Sequence, residues 1–221
     1  MMRALVVVCV LSVPAAADDS FEAKLAAAHR LEHVEDIVWT VTATCDKGDD
    51  VAQRQCRRVR EARAAALAGQ TFVVDGDPEA FDAGAWNAAK KSVAVKLAGC
   101  VRCGGVAVDG KTYYVAGAAA TPRFEAGKLR TNYLYDTARV FPDEAAAKTW
   151  LDSIKKVRVQ MIVKVPDKPR WQVAGKDGVA LAIVGYRVFA ACNGAIVAAS
   201  PASGAAEPDR KSCSPPAPSK S

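Results

Sequence analysis

The chain has 221 residues, of which 51% are hydrophobic and 24% are charged, and its formal net charge is +6 at pH 7. These fractions are typical of a soluble globular protein, and they exclude collagen-like, disordered and coiled-coil chains. This net positive charge is small for a chain of this length, and the sequence has no basic patch interleaved with aromatic side chains. Nucleic acid is therefore not an expected partner.

The N-terminal segment has the order of features that is typical of a secretory signal. Arg3 precedes a mostly apolar stretch, residues 4–13, and a run of alanines follows at 15–17. The apolar stretch is too short to span a bilayer, which needs about 20 residues. We therefore predict a signal peptide over residues 1–17, a mature protein that begins at Asp18, and no transmembrane segment. The expected location is periplasmic or secreted.

The first part of the predicted mature chain, residues 18–70, is expected to be helical. One of its helices is predicted over residues 51–68, with an aspartate at 49–50 as its N-cap and Gly69 just beyond its end. Residues 37–44 are ambiguous, because their β-branched side chains favour a strand while the flanking sequence favours a helix.

From residue 71 the hydrophobic pattern changes to the alternation that is typical of strands. Asp109-Gly110 is the strongest hairpin signal, and further turns are expected at 176–178 and at Asn193-Gly194. One helix is expected after Asp143. Strands and hairpins are predicted over residues 92–97, 106–115, 133–141, 157–165, 171–191 and 193–200.

This pattern predicts an α+β fold: a helical N-terminal portion, then a mainly antiparallel β-sheet that carries one helix. The sheet domain is predicted to cover residues 71–200. Residues 201–221 are rich in Pro, Ser and Ala, and we expect them to form a flexible tail.

Six cysteines remain after the predicted signal peptide, and an even number in an exported chain indicates disulfide bonds. Their spacing favours three local pairs, which are Cys45–Cys56, Cys100–Cys103 and Cys192–Cys213. Other pairings remain open on sequence alone. Loop closure is worth roughly 3 kcal/mol for the first and third pairs and roughly 2 kcal/mol for the second.

The second pair belongs to a Cys-x-x-Cys motif, which is the most specific chemical pattern in the chain. Thiol–disulfide oxidoreductases place such a pair at a helix N-terminus, because the helix dipole lowers the pKa of the thiol. Here two glycines and a predicted hairpin follow Cys103, and no second Cys-x-x-Cys completes a zinc site. We expect Cys100 and Cys103 to form a structural disulfide, with a redox function as the alternative.

The only two histidines, His29 and His33, flank Glu32 in the pattern H-x-x-E-H of inverted zinc peptidases. On a helix, this spacing places both imidazoles on one face, where they can bind the same Zn²⁺. The motif lies very close to the predicted cleavage site, however, and the sequence identifies no third ligand. His29 and His33 are therefore only a weak metal candidate, and no cofactor and no catalytic residue are predicted.

The leading functional hypothesis is an exported, non-enzymatic binding or interaction protein of the bacterial envelope or secretome, with an unknown ligand. The alternative is a thiol–disulfide redox protein that uses Cys100 and Cys103. A zinc-dependent peptidase that uses His29, Glu32 and His33 is a distant third hypothesis.

Overall fold

The computed structural model describes residues 19–208. The helices are α1 (Phe21–Ala26), α2 (Val34–Thr42), α3 (Asp50–Leu67) and α4 (Glu144–Ser153). The strands are β1 (His29–Arg30), β2 (Phe72–Asp75), β3 (Phe81–Asn87), β4 (Ser92–Ala98), β5 (Cys100–Val108), β6 (Lys111–Gly117), β7 (Arg123–Glu125), β8 (Lys128–Arg130), β9 (Tyr133–Val140), β10 (Val157–Lys164), β11 (Arg170–Val173), β12 (Lys176–Ala190) and β13 (Ile196–Ser200). The predicted α+β class, with mainly antiparallel sheets and one helix among the strands, is confirmed.

Strand β12 is the centre of the largest sheet, whose order is β1-β2-β10-β12-β6-β5. It pairs antiparallel with β10, β11 and β13 and parallel with β6. A separate sheet has the order β3-β4-β9, and β7 and β8 form a two-stranded hairpin of their own. The long central strand therefore joins four other strands into one sheet.

Both faces of the main sheet are covered around β10. Val159, Met161 and Val163 alternate on one face as the sequence predicts, and all three are buried. Ile162 points the other way and is also buried, because α1 covers that face: a Cβ at Gly185 would lie 3.5 Å from Phe21 and 3.6 Å from Ile162. An apolar residue among the polar side chains of this strand thus packs beneath the first helix.

The three-stranded sheet packs against α4. The Asp143 side chain accepts a hydrogen bond from the backbone N–H of Ala146 at 2.8 Å, which makes Asp143 the N-cap of α4, as predicted. Val93 of β4 is fully buried in this small apolar cluster, where the ring of Phe141 lies 5.3 Å from the ring of Trp150. The helix therefore shields one face of this sheet from water.

The prediction of a helical N-terminal portion is correct only in part. Residues 29–30, predicted to be helical, form a short strand that pairs parallel with β2. The ambiguous segment is helical as far as Thr42, because α2 buries Ile37 and Val38 against the core of the sheet. Burial of a continuous apolar face outweighs the modest strand preference of β-branched side chains.

Two of the three predicted turns lie where the sequence places them, and the other is displaced. Asp109 and Gly110 have φ angles of 50° and 80°, as a type I′ turn requires. The turn predicted at 176–178 instead lies at residues 174–175, because Val173 pairs with Lys176. Gly178 is a strand residue that faces the ring of Trp171, where a Cβ would come within 2.1 Å of the indole.

The first residues of the predicted flexible tail are packed against the body, which corrects that prediction for residues 201–206. The backbone N–H of Phe21 donates to the carbonyl of Ala202 at 3.1 Å, and the N–H of Ala206 donates to the carbonyl of Gly194 at 2.9 Å. Ala206 is buried as a result. The predicted signal peptide, residues 1–17, and residues 209–221 lie outside the described residues.

Two of the predicted disulfides, Cys45–Cys56 and Cys100–Cys103, are present. Cys192 is also disulfide-bonded, whereas its predicted partner Cys213 lies outside the described residues. No helix within residues 19–208 is both long enough and apolar enough to cross a bilayer.

Candidate binding cleft at the Cys100–Cys103 disulfide

The Cys-x-x-Cys disulfide is built into strand β5. The pairing of β5 with β6 shifts register on both sides of Arg102, so the strand bulges where the disulfide ring closes. The N–H of Cys103 donates to a carboxylate oxygen of Asp77 at 3.2 Å, and the N–H of Asp77 donates to the carbonyl of Val101 at 3.0 Å. Asp77 therefore fixes the backbone of the motif.

Both cysteines are nearly inaccessible to water, since Cys100 is 1% exposed and Cys103 is 8% exposed. The strand continues beyond the motif to Val108, so no helix begins at the disulfide. The environment thus lacks the helix N-terminus that lowers the pKa of the reactive thiol in exchange catalysts.

A cleft of about 350 Å³ lies beside this disulfide. One wall contains both cysteines and Gly104, and the hairpin of β7 and β8 forms the other. Thr131, two residues before β9, and Tyr133, the first residue of β9, also line the cleft. The volume falls within the range of small-molecule sites, which is roughly 300–1,000 Å³.

The charged side chains that line the cleft come mostly from the hairpin. Arg123 and Arg130 share Glu125, with nitrogen–oxygen distances of 2.9 and 3.9 Å, and Lys128 lies 3.5 Å from Glu79. These three cations face only two carboxylates. The cleft therefore has one surplus positive charge, and Arg130 has the longest ion-pair distance of the set.

Thr131 lines the cleft, but its hydroxyl is enclosed within the protein beside Gly99. The residue is 3% exposed, and its Oγ1 has no hydrogen-bond partner within the described part of the chain. The next residue is fixed, because the carbonyl of Asn132 accepts from the N–H of Gly99 at 3.0 Å and its side chain accepts from the N–H of Thr121 at 2.9 Å. An unsatisfied buried hydroxyl costs about 1–3 kcal/mol, so this one requires an explanation.

Gly104 leaves space open in the same wall. A Cβ built on Gly104 would meet no atom within 4 Å, and the φ angle of this glycine is not in the positive region. A larger side chain is therefore compatible with the backbone at this position. It would reduce the free volume of the cleft.

The structure does not bring the zinc-peptidase residues together on a helix. His29 is an exposed residue of β1, with its ring 6.2 Å from that of Phe72, whereas His33 is the N-cap residue of α2. The helical spacing on which that third hypothesis depends is therefore absent. No group of three or more metal-ligating side chains occurs among residues 19–208.

A second groove, of about 490 Å³, lies beneath the C-terminal end of α3. It is lined mainly by apolar residues, such as Val41, Leu67 and Pro169. Arg170 reaches across it to donate to the carbonyl of Val41 at 2.7 Å. The two buried side-chain atoms that have no partner in the described residues, Thr131 Oγ1 and Trp171 Nε1, belong to residues outside the lining of this groove. No unpaired side-chain atom of the described residues therefore marks a ligand there.

No family model matches the chain. No curated protein and no solved structure has significant similarity to it. Function therefore has to be argued from the chemistry of the cleft itself.

Sequence reasoning identified the two cysteines of this site but missed Thr131, Gly104 and Arg130. A lone threonine after a short hairpin carries no local signal, because its importance depends on burial and on a missing partner. The one hint in the sequence is the pair of glycines after Cys103, because a glycine within a strand often marks a place where a ligand or another backbone approaches closely.

Proposed function

We propose that the chain is an exported, non-enzymatic binding protein of the bacterial envelope or secretome, and that its ligand binds in the Cys100–Cys103 cleft. The observation that carries this proposal is the cleft itself, whose volume of about 350 Å³ suits a small molecule and whose lining brings three cations and two carboxylates together beside the disulfide. A concave site with a few convergent polar groups is the usual place for a ligand.

Binding is tested by screening a panel of neutral, cationic and anionic small molecules against isotope-labelled protein. The expected hits shift the backbone amide resonances of Gly104 and Thr131, and they lose binding in Gly104→Phe, which fills the cleft. Ala94→Phe is the control, because it adds the same ring at an exposed strand position of the other sheet. Hits that map to the groove beneath α3, or that bind Gly104→Phe equally well, would contradict the assignment.

Export is supported by the signal-like order of residues 1–17 and by the disulfides of the folded body. The intact mass of protein recovered outside the cytoplasm tests it. We expect a mature chain that begins at Asp18 and has its cysteines oxidised. A full-length chain that keeps Met1 and is found in the cytoplasm would contradict export.

Thiol–disulfide exchange is a second candidate, because the Cys100–Cys103 disulfide lines the cleft in which a substrate would bind. The low exposure of both cysteines and their position within a strand favour a structural disulfide. A redox titration separates the two functions. A reduction potential of roughly −120 to −270 mV, the range of known exchange catalysts, would favour the redox function.

A further inference from the structure

We infer that the arginines around Asp75 form a second binding site, which takes the phosphate or sulfate group of a small molecule. The Asp75 site consists of Arg30 of β1, Asp75 of β2, Arg102 of β5, and Arg158 and Gln160 of β10. None of these residues lines the Cys100–Cys103 cleft. The inference therefore goes beyond the proposed function of that cleft and does not depend on it.

Three arginines from three different strands converge on one carboxylate-bearing residue. Arg158 and Arg30 lie 3.4 and 3.9 Å from the carboxylate of Asp75, and Arg102 donates to the backbone carbonyl of Asp75 at 2.6 Å. None of the three guanidinium groups has another hydrogen-bond or ion-pair partner in the described part of the chain. Each guanidinium has five N–H donors, so most of these donors are unused.

The side-chain amide of Gln160 adds a further donor. Gln160 lies opposite Asp75 in the pairing of β10 with β2 and opposite Arg187 in the pairing of β10 with β12. The Nε of Arg187 donates to the Gln160 side-chain oxygen at 2.8 Å. Because a guanidinium can only donate, that oxygen must face Arg187, and the NH₂ group of Gln160 faces elsewhere. This NH₂ group has no acceptor among residues 19–208.

The positive charges on this face of the sheet lie close enough to repel one another. Arg158 and Arg187 lie 5.9 and 5.3 Å from the ring centre of Phe189. Burial lowers the pKa of Arg187, Glu22 opposes that effect, and the charge of Arg158 adds to it. Glu22 lies 3.5 Å from Arg187 and is already paired with it. An anion bound beside Arg158 would reduce the repulsion.

Access and charge together indicate the class of ligand. The side chains of Arg30, Arg158 and Asp75 are 68%, 39% and 47% exposed, so a ligand reaches them from the solvent. Three guanidinium groups and one carboxylate have a net charge of +2, which favours a doubly charged anion over a single carboxylate and disfavours a cation. A phosphate or sulfate group has acceptor oxygens for more than one guanidinium at once.

The test uses inorganic phosphate at about pH 8, where it is mostly doubly charged, and sulfate as probes. Acetate is the singly charged comparison, and the ionic strength is held constant with NaCl. We expect at least one of the two probes to cause saturable shifts of the backbone amide resonances of Asp75, Arg158 and Gln160, with weaker binding of acetate.

Two substitutions in the site should change the affinity in opposite directions. Arg158→Gln should weaken binding about fivefold, because it removes one charge that contacts the anion. Asp75→Asn should strengthen binding about fivefold, because it removes the carboxylate that competes for the same guanidinium donors. The second variant keeps the test valid if the first is poorly folded.

Matched controls make the same charge changes elsewhere. Arg54→Gln removes the charge of an exposed arginine of α3 that has no ion pair in the described residues. Asp136→Asn removes a carboxylate that lies 4.0 Å from Lys96 in the other sheet. Each control should change the affinity less than about twofold, because exposed charges far from the site are screened by salt.

Each of the other outcomes would overturn the inference. Acetate that binds as tightly as phosphate and sulfate would contradict the doubly charged ligand. Unchanged affinity in Asp75→Asn, or equal effects of the control substitutions, would reduce the binding to general electrostatic attraction. Shifts confined to Gly104 and its neighbours in the cleft, or no saturable shifts at all, would show that no anion binds at Asp75. None of these results would decide whether the Cys100–Cys103 cleft binds a ligand of its own.

Discussion

Arg187 is a nearly buried cation that connects the first helix to the main sheet. Its guanidinium lies 4.8 Å from the ring centre of Phe21 and 5.3 Å from that of Phe189, and it donates to Gln160 at 2.8 Å. Burial lowers the pKa of Arg187, and the carboxylate of Glu22, 3.5 Å away, partly offsets that effect. The two aromatic faces and two polar partners together offset the cost of burying this charge.

Glu22 should make stability depend on pH in the acidic range. The Ser203 hydroxyl donates to Glu22 at 2.6 Å and, with Arg187, lowers the pKa of the carboxyl group below its ordinary value of 4.5. A lowered pKa in the folded state stabilises the protein above pH 4.5, and this contribution is lost as pH falls through the lowered value. We expect Glu22→Gln to reduce the free energy of unfolding by about 0.5–1 kcal/mol at pH 7 and by less below pH 4.

Denaturant unfolding at a series of pH values measures this difference. Asp152→Asn is the control, because the pKa of Asp152 is also lowered, by its contact with Lys155, but at the exposed surface. The control should change stability little at any pH. A difference between wild type and Glu22→Gln that is constant from pH 7 to pH 3 would contradict the prediction.

Thr131→Val should stabilise the protein. Valine has nearly the same shape and removes the unsatisfied hydroxyl, so the free energy of unfolding should rise by about 1 kcal/mol. Thr42→Val is the matched control, because the buried hydroxyl of Thr42 donates to the carbonyl of Val38 at 2.7 Å. Thermal unfolding of both variants checks the signs: Thr131→Val should raise the melting temperature, and Thr42→Val should not. Destabilisation by Thr131→Val would indicate a structural partner for its hydroxyl.

Among the elements, those with a strong local signal were predictable from sequence. The alternation of β4 and β10, the Asp143 cap of α4 and the Asp109-Gly110 turn each depend on residues that are close in the chain. The strand at residues 29–30 was not predictable, because it exists only through pairing with β2, far along the sequence. The cleft has the same property: its walls come from β5 and from a hairpin that carries no Cys, His or other catalytic pattern.

Helix α3 shows how a covalent bond can replace packing. Its 18 residues include none that is buried. It is connected to the body by the Cys45–Cys56 disulfide, by Arg60, which donates to the carbonyl of Ala43 at 2.9 Å, and by Arg63, which lies 3.1 Å from Asp36. Its alanines and arginines are strong helix formers, so the sequence itself supports the helix. The disulfide therefore determines where the helix lies more than whether it forms.

Loss of each disulfide should have a different effect. Cys45→Ala/Cys56→Ala should lower the free energy of unfolding by about 3 kcal/mol from loop closure, and trypsin should cleave the arginine-rich α3 faster. Cys100→Ala/Cys103→Ala should lower the free energy of unfolding by about 2 kcal/mol from loop closure and by about 1 kcal/mol more from the cavity left in the core. Trypsin should not cleave α3 faster in this variant. Denaturant unfolding and timed proteolysis measure both effects. An α3 that resists trypsin equally well without its disulfide would contradict the first prediction.

At the scale of the whole molecule, one large core includes residues from nearly every part of the described chain. Ile37 of α2, Leu97 of β4, Val101 of β5 and Met161 of β10 all belong to it. The helical portion and both larger sheets therefore share buried surface. Among the described residues, the small cluster around Val93 and Phe141 beneath α4 is separate from this core.

The position of β12 in the main sheet predicts how that sheet unfolds locally. Residues 178–181 of β12 pair with β6, and residues 182–190 pair with β10. Because one strand supplies both sets of hydrogen bonds, unfolding of β12 would leave β6 and β10 without their shared neighbour. We therefore expect hydrogen–deuterium exchange to show one cooperative unit, in which the amides of both halves of β12 exchange last and with the same opening free energy. Bimodal mass spectra under slow-closing conditions would show the two halves becoming labelled together. Earlier labelling of residues 178–181 would instead mean that the half of the sheet next to the cleft opens independently.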